Sequence, residues 1–241
     1  MLIAVIGKRI LPLLAWLVPA LMLAGQVQAA ARDPLTIELP ATEVIPGAQW
    51  QWVGQRMAIN DIPISIKVFT YPGSAEEVKR FYLDRWRLSG LGKLSQQTVG
   101  NARIITYQLD QHVYSVQFAQ HGDNVDGKLV VSLSPLSRRP SRDTRLPLPP
   151  RTQVASKVES LDGGRRSETL TLESRLGVPQ VIDFYINRLQ NDGWQRYSAS
   201  GDGRSGAVIS FQRQGELLQL NIKGLQGRNS NSSEVLLNWV K

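Results

Sequence analysis

The chain has 241 residues, 42% of them apolar and 20% charged, which is enough for one large core or two small ones. It contains no cysteine, so disulfides, thiol catalysis, thiolate metal sites and a lipid-modified cysteine are excluded. A formal charge of +8 favours anionic partners such as acidic polymers or lipid headgroups, although a basic surface also serves plain solubility.

Residues 1–30 read as a secretory signal peptide. Lys8 and Arg9 form a basic start, Ile10 to Ala24 an apolar centre, and Val27-Gln28-Ala29 a small-residue cleavage region. Cleavage is expected after Ala29, give or take two residues. The alternative is an uncleaved inner-membrane anchor, but the apolar run falls short of the ~20 residues that a span needs. Pro12 and Pro19 also interrupt it. The mature protein is therefore expected in a bacterial periplasm.

Residues 31–46 form a polar, proline-punctuated lead-in. A first α+β unit is expected over 47–134. Gln49 to Ile59 alternates Trp50 and Trp52 with glutamines, as a half-buried strand does. Asn60-Asp61 marks a turn, and Ile62 to Tyr71 a second strand. Ser74 then opens a helix with a glutamate three residues on, the spacing of a capping box. Lys93 to Val99, Arg103 to Leu109, Val113 to Phe118 and the alternating Leu129, Val131 and Leu133 complete the unit as strands.

The same order returns over 152–241. Val78, Phe81, Tyr82, Arg85 and Gly90 recur as Val181, Phe184, Tyr185, Arg188 and Gly193, at a constant offset of 103. Five identities in eighteen positions stand against roughly one by chance, so the chain holds an internal duplication. In the second helix Val178, Val181, Ile182, Tyr185 and Leu189 lie on one stripe, and Pro179 falls in the first turn. Strands are expected at Gln153 to Ser160, Ser167 to Glu173, Gln195 to Ser200, Ala207 to Arg213 and Glu216 to Ile222. A last one carries Val235, Leu237 and Trp239, which answer Leu129, Val131 and Leu133. The expected fold class is α+β: a tandem repeat of two two-layer domains, each with one main helix packed on an antiparallel sheet.

Between the copies runs 135–151, a Pro/Arg-rich linker. Its prolines deny it helix or sheet and favour extended structure. Arg138, Arg139, Arg142, Arg145 and Arg151 face one acid, Asp143, and make the strongest charge cluster of the chain. They are the candidate interaction site, with a solvated spacer as the alternative.

No catalytic constellation emerges. The two histidines, His112 and His121, lack a partner at ligand spacing. Asp123 and Asp126 lack the remaining oxygens of a calcium loop. The glycines of Gly201 to Gly206 are followed by no helix that a phosphate cradle requires. No catalytic residue, metal ligand or cofactor is therefore assigned. The expected function is that of an exported, non-enzymatic binding or adaptor protein of the cell envelope, with another envelope protein as partner. The first alternative is a binder of an anionic polymer or lipid headgroup, such as nucleic acid or a lipid-A-type head, through the basic linker. The second is an envelope hydrolase without a recognisable motif.

Overall fold

The computed structural model describes residues 33–88, 90–225 and 231–241. The signal-peptide reading of 1–30 and the start of the lead-in lie outside these residues. Among the described residues no helix is long and apolar enough to cross a membrane.

The first half is built from β1 (Gln49–Ile59), β2 (Ile62–Pro72), α1 (Ala75–Leu88), β3 (Lys93–Val99), β4 (Ala102–Leu109), β5 (His112–His121) and β6 (Asn124–Leu133). The second repeats it as β7 (Thr152–Asp162), β8 (Arg165–Ser174), α2 (Val178–Asn191), β9 (Gln195–Gly201), β10 (Gly206–Arg213), β11 (Glu216–Gly224) and β12 (Ser233–Val240). All twelve strands join one antiparallel sheet, in the order β3-β4-β5-β6-β2-β1-β7-β8-β12-β11-β10-β9. The fold is α+β with two repeating halves, each carrying one helix.

Local chemistry accounts for the elements. Asn60 and Asp61 both take positive φ (50° and 65°), the conformation of a two-residue hairpin turn. At α1, the Ser74 backbone N–H donates to Glu77 Oε2 (2.7 Å) and Glu77 N–H donates to Ser74 Oγ (3.3 Å), which closes the capping box. Glu76 and Glu77 in the first turn and Arg85 and Arg87 in the last suit the helix dipole. Gly90 and Gly193 stop the two helices with φ of +67° and +82°. In α2, Val178, Val181, Tyr185 and Leu189 are buried, each contributing ~1.5–3 kcal/mol of apolar burial.

The halves meet where β1 pairs with β7 over four positions, Arg56–Leu161 to Ile59–Val158. Met57 faces Ser160, its own counterpart at offset 103, so a pseudo-twofold axis passes through that pair. Alternation carries one face across the seam. Ala58 pairs with Pro63 and with Glu159, which places Lys67 and Phe69 of β2 on the same side as Lys157 of β7 and Leu170 and Leu172 of β8. Phe69 packs in the core under α1, and Leu170 and Leu172 in the core under α2. Both helices therefore cover the same face of the sheet, over two separate cores.

Register corrects one sequence-based correspondence. Phe69 and Phe118 both face Gly127, while their counterparts Leu172 and Ile222 both face Val235. Val235 thus answers Gly127, Leu237 answers Leu129 and Trp239 answers Val131. The insertions between strands shift the last strand out of the simple offset. The exchange is one of volume. A Cβ on Gly127 would sit 2.2 Å from the Phe69 ring, so a large side chain opposite glycine in one half replaces leucine opposite valine in the other.

Two expectations are revised. The first part of β1 is not a half-buried strand: Gln49 to Val53 are exposed on both faces, Trp50 and Trp52 by 49% and 41%. The linker takes no helix or strand, as its prolines require, but it is not a free spacer. Ser141 N–H donates to Asn60 O (2.9 Å), and Leu146 is buried in the second core.

Candidate functional site

Between the two cores the helix-covered face turns polar. Lys157 Nζ lies 2.6 Å from Asp61 Oδ1 and 3.3 Å from Glu159 Oε2, and donates to Asp143 O (2.9 Å). Arg166 forks onto both Asp33 oxygens (2.7 and 3.1 Å) and reaches Glu159 Oε1 (2.8 Å). Thr144 Oγ1 donates to Glu168 Oε1 (2.5 Å), with Lys241 Nζ 3.9 Å from the other oxygen. Lys157, Glu159 and Glu168 are buried. Burial alone would lower the Lys157 ammonium, but its bonds to Asp61 and Glu159 hold it above the ordinary lysine value. Burial likewise works against the Asp33 carboxylate, yet Arg166 and the Leu35 N–H keep it below the ordinary range. The cluster pairs opposite charges with hydrogen bonds, and its work is to fasten the lead-in and the linker across the seam.

The linker arginines lie around these anchors. Arg142 and Arg145 are exposed and flank Asp143 and Thr144, the two residues fastened to the seam. Arg139 and Arg151 are also exposed. Arg138 is half-buried, and its charge helps hold the Asp33 carboxyl down.

The core under α2 holds two polar atoms that find no hydrogen-bond partner among the described residues, the Tyr185 hydroxyl and Trp239 Nε1. Burial pushes the Tyr185 hydroxyl well above the ordinary tyrosine value. Its counterpart Tyr82, equally buried, donates to Glu43 O (3.4 Å) of the lead-in. An orphaned buried donor costs ~1–3 kcal/mol. Two in one apolar core leave polar groups that a ligand atom can satisfy.

The third feature lies on the first half. Trp50 and Trp52 stand edge to face, 6.0 Å apart, with Lys67 Nζ 4.6 Å and 4.7 Å from their ring centres. Lys67 is buried and donates to Thr42 O (2.8 Å); burial lowers its ammonium. On the opposite face an open groove of about 710 Å³ crosses the strands, bordered by Gln49, Gln51, Val68, Thr70, Gln117 and Lys128.

His121 Nδ1 lies 3.7 Å from Asp126 at the exposed β5–β6 turn, away from the seam and both cores. Asp202 closes the β9–β10 loop, its Oδ1 accepting from the N–H groups of Arg204, Ser205 and Gly206, so this glycine-rich stretch is a hairpin loop.

Sequence reasoning overlooked Lys67, Asp33, Asp61, Lys157, Glu159, Arg166 and Glu168. The signal was present in β7, where Lys157 and Glu159 alternate with Val158. It becomes readable only once the β1–β7 register says which side faces inward.

No curated protein and no solved structure shows significant similarity to the chain. Residues 152–233, from the first residue of β7 to the first of β12, match a family model described as START domain-like, so the second half resembles that family.

Proposed function

We propose that this protein is a non-catalytic binding protein of the cell envelope, exported through its first 30 residues, and that its second half takes an amphiphilic, lipid-like ligand. The observation that carries the reading is the START-like match, a lipid-binding type of fold, over a half whose core leaves Tyr185 and Trp239 polar atoms unmet. In this reading the apolar part of the ligand takes space that side chains of α2 and the sheet fill in the unliganded core, and its polar end meets those two atoms. An anionic head finds Arg142 and Arg145 on the linker, whose Leu146 is part of the same core. Each half is in this reading a two-layer module with its own core, and the linker is a lid on the second.

The test is a titration of the mature protein with a fluorescent fatty-acid-type amphiphile, followed by intrinsic tryptophan emission and by salt dependence. Saturable binding weakened by Tyr185→Phe and by charge reversal of Arg142 and Arg145 supports the reading. Absence of saturable binding by both anionic and zwitterionic amphiphiles overturns it. A protein partner is the second reading, favoured by the open strand edge at Trp50 and Trp52.

A further inference from the structure

β1 runs eleven residues beside β2 but pairs with β7 only from Arg56 to Ile59. From Gln49 to Gln55 its other edge faces no strand among the described residues, and six of these seven residues are exposed. Such an edge presents alternating backbone N–H and C=O groups whose natural complement is another extended backbone.

This edge is unusually apolar. Trp50, Trp52 and Val53 are 49%, 41% and 57% exposed. Long hydrophobic edges invite unwanted pairing, and proteins ordinarily blunt them with charge, proline or bulges. Here β1 does bulge, but only beyond Trp52, at Val53 and again before Met57, which leaves Gln49 to Trp52 regular.

The duplication supplies an internal control. Register sets the match: Trp50 faces Phe69 where Val154 faces Leu172, and Trp52 faces Lys67 where Lys157 faces Leu170. The second half puts Val154 and Lys157 where the first puts Trp50 and Trp52, and its β7–β8 pair slips by one position rather than two, so the fold itself does not demand the aromatic edge. β7 leaves its own edge from Thr152 to Ser156 without a strand partner among the described residues, yet carries no tryptophan there.

Lys67 is the second, independent observation. It is 8% exposed, yet among the described residues no carboxylate lies within ion-pair distance of it. Every other buried charge on this face has one: Lys157 has Asp61 and Glu159, and Glu168 has Lys241. A buried ammonium held by one carbonyl and two indole rings lacks its anion. The outermost strands β3 and β9 also have open edges but no buried cation behind them, and Lys157, beside the open stretch of β7, already has its carboxylates.

We propose that the β1 edge from Gln49 to Val53 receives an extended, acidic segment of a partner protein, which adds to the sheet as a strand and sets a carboxylate against Lys67. The backbone ladder supplies affinity. Trp50 and Trp52 cover the incoming strand on the helix-covered side, and the carboxylate–ammonium pair selects an acidic sequence. The site lies in the first half and does not depend on amphiphile binding in the second, so each reading fails or stands by itself.

The test uses the mature full-length protein with a short strand of alternating valine and threonine fused to its N-terminus by a Gly/Ser linker of about 20 residues. Tethering raises the local concentration to about millimolar, so weak pairing is detected. The central residue of the strand is Glu, Gln or Lys. Amide hydrogen exchange at Gln49 to Val53 and tryptophan emission are read. The expected result is protection with the Glu strand, about tenfold stronger than with Gln, and none when prolines replace its valines. Lys67→Leu, the residue of the other half, abolishes the preference for Glu. Trp50→Gln with Trp52→Ala abolishes protection while the melt stays cooperative. Unprotected edge amides with all three strands overturn the proposal, as does protection that proline does not remove. Tryptophan quenching by anionic vesicles but not by the Glu strand would assign the pair to a bilayer and overturn it equally.

Discussion

The two repeat tyrosines make opposite predictions from one substitution. Tyr82 and Tyr185 occupy the same position on α1 and α2, and both are almost fully buried. Tyr82 has a hydrogen bond to Glu43 O, and Tyr185 has none among the described residues. Tyr82→Phe removes a bond and leaves the Glu43 carbonyl short of a donor, a net loss of about 0.5–1.5 kcal/mol. Tyr185→Phe removes only an unmet hydroxyl and keeps the ring, so the unliganded protein gains about 1–3 kcal/mol. For a chain of this size ~1 kcal/mol moves the melting point by ~2–4 °C. Differential scanning calorimetry on delipidated protein should then show Tm falling by a few degrees for Tyr82→Phe and rising for Tyr185→Phe. Adding a saturating amphiphile should reverse the second sign, because the ligand loses its polar contact. If Tyr185→Phe destabilises the delipidated protein as much as Tyr82→Phe does, the hydroxyl has a partner of its own and the reasoning fails.

Three further outcomes follow from the structure. Gly127→Ala drives a Cβ into the Phe69 ring and should cost ~1–3 kcal/mol in urea unfolding; Phe69→Leu in the same chain, which copies the Leu172–Val235 pairing, should recover most of it. The Asp33 carboxyl is held below its ordinary value of 3.8, so its contribution is complete above that pH and is lost as pH falls through the depressed value. Asp33→Asn should therefore flatten the stability curve below about pH 4 while leaving its shape unchanged near neutrality, as followed by acid titration of the melt. A fragment of residues 134–241, which keeps Leu146 and the linker anchors with the second core, should melt cooperatively; a featureless melt would remove the modular reading.

Much of the fold was legible because it is local. The Ser74–Glu77 cap, the stripe from Val178 to Leu189 and the stops at Gly90 and Gly193 depend on neighbours a few residues away. The repeat was visible because Val78, Phe81, Tyr82 and Arg85 recur at a fixed spacing. The seam was not legible. Four pairs between β1 and β7 join residues about a hundred positions apart, and nothing in either strand names the other as its neighbour. Without that register Lys157 and Glu159 read as the solvent side of a strand, when they are the buried side. The linker suffered the same limit: its prolines excluded helix and sheet, but only the three-dimensional position of Glu168 and Lys157 shows why Asp143 and Thr144 are held. The aromatic edge was half visible, since Trp50 and Trp52 stood out by type, while the missing strand beside them did not.

Native mass spectrometry of the protein purified from the cells that produce it tests the central claim most directly. The account predicts a population carrying one amphiphile per chain, which survives gentle ionisation, is released on denaturation and is depleted in Tyr185→Phe. A single apo mass under conditions that preserve known protein–lipid complexes would contradict it.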